Sequence, residues 1–257
     1  VMSMKRRIAS GAAVGLALFL GLVSGCSEPA PVATPTPSGP ASHWTAPPQI
    51  TGVSVTAEGL RVQGLAEPEG RVVLRRESGT AYAASSDAEG RFEIRMAAPA
   101  DDLMLIPEAQ IGQDSVPAPE RLLILRGGNG PIVLLRSGRA SLRLDAAPVL
   151  GAIDSDGRVL LASGRTGSTS QNVPVSVGDG PVMRVTPDDD GRWSAVLNRA
   201  GGGEVTIRVR DAAFAYPGDS APAGGAFSVQ RAGWGWRVNW TSAAGAAQTT
   251  WLPVRPD

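Results

Sequence analysis

Tryptophans near the carboxyl end have the spacing of a binding surface. Trp234, Trp236 and Trp240 fall on one face of a predicted strand, and Trp251 falls on the predicted partner strand after a turn at residues 242–247. Exposed tryptophans stack on sugar rings or peptide, whereas buried ones would form the main core of this part of the chain. The sequence leaves both interpretations open, a binding surface made of these four rings or a core.

Two acidic turns are the next candidates for chemistry. Residues 154–157 begin like a calcium-binding loop, but Arg165 stands where the bidentate glutamate of such a loop belongs. Asp188, Asp189 and Asp190 place three carboxylates in one turn, which we interpret as solvated, with a weak calcium site as the alternative. No acidic residue stands out as one of an acid–base pair. We therefore predict no metal ligand, no catalytic residue and no cofactor, and expect that the protein is not an enzyme.

Composition excludes several classes of activity. His43 is the single histidine, which excludes histidine-based triads and multi-histidine metal sites in the rest of the chain. Lys5 is the single lysine, so Schiff-base and phosphate-loop lysines are absent downstream. After residue 26 there are 24 acidic residues against 21 arginines, about three net negative charges, which argues against a nucleic-acid partner.

The first residues have the pattern of a targeting segment. A cationic start at residues 5–7 precedes an apolar run, residues 8–23, that is shorter than the roughly 20 residues of a spanning helix. Val23-Ser24-Gly25-Cys26 then resembles the lipobox of bacterial lipoproteins. The resemblance implies a signal peptide at residues 1–25, cleaved before Cys26, and acylation of Cys26, including palmitate. Because Ser27 follows, it also implies the outer membrane, facing the periplasm or the cell surface; the alternative is an uncleaved anchor with a leftover cysteine.

A linker separates this anchor from the rest. Seven prolines fall within residues 27–48, where Glu28 is the only formal charge. Such a composition cannot bury a core and favours extended polyproline geometry. We therefore assign residues 26–48 to the lipidated cysteine and a disordered, Pro-rich stalk.

A repeat organises the remaining chain. Asp87-Ala-Glu-Gly90-Arg91-Phe92 returns 101 residues later as Asp188-Asp-Asp-Gly191-Arg192-Trp193. The pattern predicts hairpin turns with the two glycines at positive φ, each followed by an alternating strand whose aromatic side chain is buried. Period-two alternation with turns every eight to twelve residues predicts an all-β fold of antiparallel sandwiches. We predict two modules, residues 49–147 and 148–257.

The module resembles the bacterial immunoglobulin-like repeats of cell-surface and periplasmic proteins. The resemblance rests on Gly64-Leu-Ala66-Glu-Pro68, on Gly70-Arg-Val72-Val-Leu74 and on the turn at residues 87–92. It covers residues 50–97 well and 149–209 less well. It implies tandem immunoglobulin-like sandwiches that act without catalysis as a scaffold or protein-interaction unit of the cell envelope. The alternative is a glycan- or peptidoglycan-binding module that uses the C-terminal tryptophans; the expected partners are the membrane and an envelope protein or peptidoglycan.

Overall fold

Alternation of apolar and polar residues gives an all-β structure. The computed structural model describes residues 45–77, 79–167, 169–198, 201–219 and 227–254. The strands are β1 (Gln49–Thr56), β2 (Gly59–Leu65), β3 (Arg71–Arg76), β4 (Ala81–Ser85), β5 (Arg91–Met96), β6 (Leu103–Ile111), β7 (Asp114–Pro117), β8 (Arg121–Ile124), β9 (Ile132–Leu135), β10 (Leu142–Arg143), β11 (Ala152–Ser155), β12 (Leu160–Arg165), β13 (Val173–Val177), β14 (Met183–Val185), β15 (Arg192–Leu197), β16 (Val205–Val209), β17 (Ala212–Tyr216), β18 (Ser228–Arg231), β19 (Gly235–Thr241) and β20 (Ala247–Pro253). A 3-10 turn, Arg126–Gly128, lies between β8 and β9.

The strands form four antiparallel sheets. Sheet A has the order β1-β2-β5, and sheet B has the order β10-β9-β8-β6-β3-β4 with β7 paired to β6. Sheet C has the order β15-β12-β11-β20-β19-β18, and sheet D has the order β14-β13-β16-β17. The predicted all-β, antiparallel sandwich architecture is therefore confirmed. All described residues fall within one compact unit, His43–Asp257, and the division into two modules stays a prediction.

Each pair of sheets encloses an apolar core. The first core joins sheets A and B, and its buried members include Val62, Leu74, Phe92 and Leu105. The second core joins sheets C and D and includes the buried rings of Trp193, Tyr216 and Trp251. Phe92 and Trp193 both lie in cores, as the alternation of their strands predicts.

The sequence repeat is a structural repeat. Strands β1-β2-β5 and β11-β12-β15 have the same order, and β4-β3-β6 matches β14-β13-β16. Gly64 faces Phe92 across its strand pair, as Gly164 faces Trp193. The aromatic ring covers the glycine in both copies, since an added Cβ would lie 2.5 Å from the ring at Gly64 and 2.9 Å at Gly164.

The repeated turn is built alike in the two copies. Gly90 has φ 80° and Gly191 has φ 72°, which confirms the predicted positive φ. The Asp87 carboxylate accepts hydrogen bonds from the backbone N–H groups of Glu89 and Arg91, and Asp188 accepts the equivalent pair. The prediction of a hairpin is wrong at both sites. Strands β4 and β5 belong to different sheets, as do β14 and β15, so the turn carries the chain from one sheet to the other.

The later strands of the two copies differ in placement. Strands β8 and β9 form a hairpin with β10 beside it, and β18, β19 and β20 form a second set of paired strands. The first set extends sheet B through β6, whereas the second set joins sheet C through β11. The two sets therefore do not occupy equivalent positions, although their sequence patterns are alike.

Several predictions concern residues before Thr45. The signal peptide, Cys26, most of the Pro-rich linker and His43 lie outside the described residues. Within the part of the chain that the structure describes, no helix has the length and apolar character needed to cross a membrane.

Candidate functional site

The four tryptophans do not share one exposed face. Trp234 precedes β19 and is 63% exposed, and Trp236 is partly buried. Trp240 and Trp251 are buried, 2% and 1% exposed. Strand β20 is the predicted partner of β19, but Trp251 pairs with Arg237 and therefore lies on the other face of sheet C from Trp236 and Trp240. The predicted four-ring surface is corrected to two core rings, one partly buried ring and one exposed ring.

The buried rings are satisfied within the protein. Trp251 Nε1–H donates to the carbonyl of Ala232 at 2.9 Å, and its ring meets that of Tyr216 edge-on at a centroid distance of 5.6 Å. Trp240 Nε1–H donates to the hydroxyl of Thr250 at 3.1 Å. Indole N–H groups bonded inside the fold are typical of core tryptophans. This is the core interpretation that the sequence also allowed.

A third apolar cluster joins the two pairs of sheets. We call it the joint. It brings the outer face of sheet B at β8 and β9 against the outer face of sheet C at β11, β19 and β20. Its buried members are Leu123, Leu125, Val133, Leu135, Ala152, Val238, Trp240 and Leu252. Burial of several large side chains at ~1.5–3 kcal/mol each makes the joint a substantial contribution to stability.

A buried carboxylate closes the joint at one end. Asp154, on β11, accepts hydrogen bonds from the backbone N–H and the hydroxyl of Ser141, both at 2.7 Å. It also accepts one at 2.7 Å from the hydroxyl of Thr250 on β20. Burial raises the pKa of Asp154 to about 6, against the opposing effect of these hydrogen bonds. The segment that follows β9 is thus tied to sheet C by a polar network.

A groove of about 1270 Å³ lies beside this network. One wall is the segment after β9, from Arg136 to Ala147, and another comes from β1 near Thr51. The opposite wall consists of β12 and β15, with Arg165 and Arg192, and of the acidic turn at residues 188–190. Its volume exceeds the roughly 300–1,000 Å³ of a typical small-molecule pocket.

Arginines are concentrated in this groove. Arg165 and Arg192 face each other across β12 and β15, an arrangement of like charges that destabilises a sheet. Arg192 forms an ion pair with Asp190, and Arg139 forms one with Glu120. The groove is thus lined by five arginines, Arg136, Arg139, Arg143, Arg165 and Arg192, and by four aspartates, Asp145, Asp188, Asp189 and Asp190.

Arg136 is the least satisfied of these cations. Its buried Nε has no hydrogen-bond partner among the described residues. Burial lowers the pKa of Arg136, and the positive charges of Arg139 and Arg192 lower it further, whereas the carboxylates of Glu120 and Asp154 oppose the shift. A guanidinium that is desolvated and close to other cations gains free energy when an anion binds. The groove can therefore receive a carboxylate or another oxyanion.

No family model matches this chain, and no curated protein matches it.

The acidic turns do not converge on a common point. Asp154 is buried in the network described above, whereas the Asp156 carboxylate accepts from the backbone N–H groups of Arg158 and Val159. Asp188 caps its own turn and Asp190 pairs with Arg192. Within the described ranges, no group of three or more metal-ligating side chains comes together.

The groove and the joint were missed in the sequence, although each had a signal. Asp154 directly follows the apolar pair Ala152-Ile153, a position where a carboxylate is a candidate for a buried polar contact. Arg136 and Arg139 follow an apolar strand closely, so their charges must lie near the sheet. The sequence does not predict that β12 and β15 also line the groove, because both strands are distant in the chain from residues 136–147.

Proposed function

We propose that this protein is a membrane-anchored envelope lipoprotein whose β-sheets act without catalysis as a scaffold and protein-interaction unit. The anchor would be Cys26, and the Pro-rich stalk would hold the sheets away from the membrane. Tandem immunoglobulin-like modules remain our interpretation of the sheets. The outer membrane remains our expectation for its location.

The joint is the observation that supports a scaffold. Between its apolar cluster and the Asp154 network, both pairs of sheets are held in one arrangement. The Arg143 guanidinium adds to this, because it donates to the carbonyls of Gly151 and Pro253, both at 3.1 Å. Sheets held in a fixed arrangement, and kept away from the membrane by a long stalk, suit a protein that positions a partner.

The glycan-binding alternative has less support. Stacking on a sugar needs exposed rings, and Trp240 and Trp251 are core residues. Trp236 is covered on one side by the Arg231 guanidinium, which lies 4.4 Å from the ring centroid. Of the four C-terminal tryptophans, only Trp234 presents a largely exposed ring.

Anchoring is tested by Cys26→Ser. Multiple acyl chains hold a protein stably, whereas one chain gives only marginal membrane binding. We expect the variant to leave the membrane fraction or to accumulate as an uncleaved precursor, as seen by fractionation and mass spectrometry. Ser24→Thr, which leaves the cysteine intact, serves as the control. Unchanged partitioning and mass for Cys26→Ser would refute the lipoprotein assignment.

Partner binding is tested by affinity capture. The full-length protein is immobilised in detergent and exposed to solubilised envelope proteins, with a heat-unfolded sample as control. We expect saturable enrichment of at least one protein on the folded sample. Equal recovery on both samples would argue against an interaction unit.

A further inference from the structure

We propose that the free edge of β15, beside the arginine-rich groove, takes up an extended acidic peptide segment of a partner protein as an added strand. The inference rests on the proposed function, for which it names the chemistry of the partner. Strand addition takes its affinity from main-chain hydrogen bonds and its specificity from alternate side chains.

Among the strands that the structure describes, β15 is the edge of sheet C. On its open side, the Arg192 N–H donates to the Asp188 carboxylate and the Arg192 carbonyl accepts from the Asp188 N–H. Main-chain groups of alternate residues point to the same side of a strand. The N–H and C=O groups of Ser194 and Val196 therefore point to the open edge, where a further strand would bond to them.

The equivalent edge in the first copy is protected. Strand β5 is likewise the edge of sheet A, and Glu93 and Arg95 stand on it as an ion pair at 2.7 Å. Charged side chains on an edge are a common defence against unwanted strand pairing. The corresponding positions in β15 are Ser194 and Val196, and Val196 is 55% exposed. The second copy lacks the defence that the first one has.

Positive charge where β15 begins favours an acidic partner segment. Arg165 and Arg192 lie opposite each other where β15 begins, and Leu65 and Arg91 hold these positions in the first copy. Arg136, with its unpartnered Nε, also lines the groove, and the charge of Arg192 acts on it. An added strand would place a side chain near these guanidinium groups. Arg192 is already paired with Asp190, so a carboxylate of the added strand would act mainly on the charges of Arg165 and Arg136. Towards Val196 the same strand meets an apolar surface.

These features define a probe. It is a fluorescein-labelled heptapeptide of two aspartates followed by alternating threonine and valine. Its counterpart has two lysines in place of the aspartates. Binding to the full-length protein in detergent is measured by fluorescence anisotropy at ~50 mM and ~500 mM salt, because ion pairing with the arginines weakens as salt screens it.

Variants separate the main-chain contribution from the charges. Val196→Lys places a charged side chain on the edge of β15, as in the first copy, and charged edges resist strand pairing. Val196→Pro removes one backbone N–H that points to the open edge, a change that an edge strand tolerates. Val55→Lys is the matched control, since Val55 is 52% exposed on the edge strand β1. Arg136→Gln removes the guanidinium group whose Nε has no hydrogen-bond partner among the described residues. Thermal melts show that each variant is folded.

We expect the acidic peptide to bind the wild type and the Val55→Lys control alike. Both Val196 variants and Arg136→Gln should weaken it about tenfold or more, which corresponds to ~1.4 kcal/mol. The lysine peptide should bind at least tenfold more weakly than the acidic one. Equal binding of the two peptides, or equal binding by the Val196 variants and wild type, would overturn the proposal.

Other occupants give different results. Dimerisation of the wild type through β15, seen by analytical ultracentrifugation and abolished by Val196→Lys, would overturn it in favour of a second copy of this chain. Binding of oligogalacturonate in place of the acidic peptide would overturn it in favour of an anionic glycan. If affinity capture finds a partner that Val196→Lys retains in full, the β15 edge is excluded while the interaction function stands. If capture finds none, the proposed function fails independently of the peptide result.

Discussion

Asp154 makes the stability of the joint depend on pH. Its pKa is raised by burial to about 6 in the folded protein, against about 3.9 in an unfolded chain. Between these values the folded state binds a proton that the unfolded state does not. The free energy of unfolding therefore falls as pH rises from about 4 to about 6, and stays at the lower level above that.

The magnitude follows from the shift. About two pKa units at ~1.4 kcal/mol each give an upper limit of about 3 kcal/mol. Asp154→Asn removes the charge and keeps the hydrogen bonds. Its Oδ1 can accept from the Ser141 N–H, while its Nδ2 donates to the hydroxyls of Ser141 and Thr250, which rotate to accept. We expect the variant to be more stable than wild type at pH ~7.5, by up to about 3 kcal/mol, and equal to it near pH 4.

Urea unfolding followed by tryptophan fluorescence, at four pH values from about 4 to about 7.5, gives the difference between the two proteins directly. Carboxyls whose pKa is lowered, such as Asp87 and Asp156, lose their stabilising effect only as pH falls through their own low pKa, and they cancel in this difference. The exposed Asp156→Asn is the control and should keep the wild-type slope. If the difference between Asp154→Asn and wild type does not change with pH, the Asp154 carboxyl does not titrate between about pH 4 and about pH 6 in the folded protein.

Two further predictions concern stability. The fragment Pro148–Asp257 keeps the second core and should fold alone with a cooperative melt. Its Tm should be lower than that of the full chain, because the joint face of sheet C is exposed in the fragment. A fragment without β-type circular dichroism would contradict this prediction. Phe92→Ala and Trp193→Ala should each cost about 3–5 kcal/mol in denaturant unfolding. Gly90→Val and Gly191→Val should each lower the free energy of unfolding by at least ~1–3 kcal/mol, because an added Cβ would lie 2.4 Å from a backbone carbonyl oxygen at both sites. If Phe92→Ala and Trp193→Ala leave stability unchanged, that result contradicts the burial of the two rings.

Local patterns predict much of this fold because many of its strands bury one face in a core and leave the other face polar. Phe92, Ile94 and Met96 alternate with Glu93 and Arg95, and the structure buries the first set. The repeated Asp and Gly turn predicts its own φ angles, since a carboxylate that bonds its own backbone and a glycine at positive φ are local requirements. The hairpin interpretation failed because the choice of sheet is not local. Nothing in residues 87–92 says whether the next strand pairs with the last one or crosses to the opposite sheet.

The joint shows where such patterns stop being informative. Residues 122–125 and 132–135 are continuous apolar runs, and strands of this kind are buried on both faces. The runs indicate that β8 and β9 have a second cover, but they do not identify it. Sheet C supplies that cover through Val238 and Trp240. The side chains of β19 whose alternation suggested an exposed tryptophan face therefore pack against β8 and β9 in the joint.

A comparison of the two copies locates what the repeat itself cannot explain. Residues that build the shared frame are kept in both, as with the glycine under each aromatic ring and the capped turn. Along the edge strands, however, Glu93 and Arg95 give way to Ser194 and Val196. A fold that needed only stability would favour a guarded edge in both copies, because an open edge invites aggregation. The exposed edge of β15 lies beside Arg136, Arg165 and Arg192, which line the groove, and an acidic strand bound there would cover the edge and add a carboxylate to these guanidinium groups.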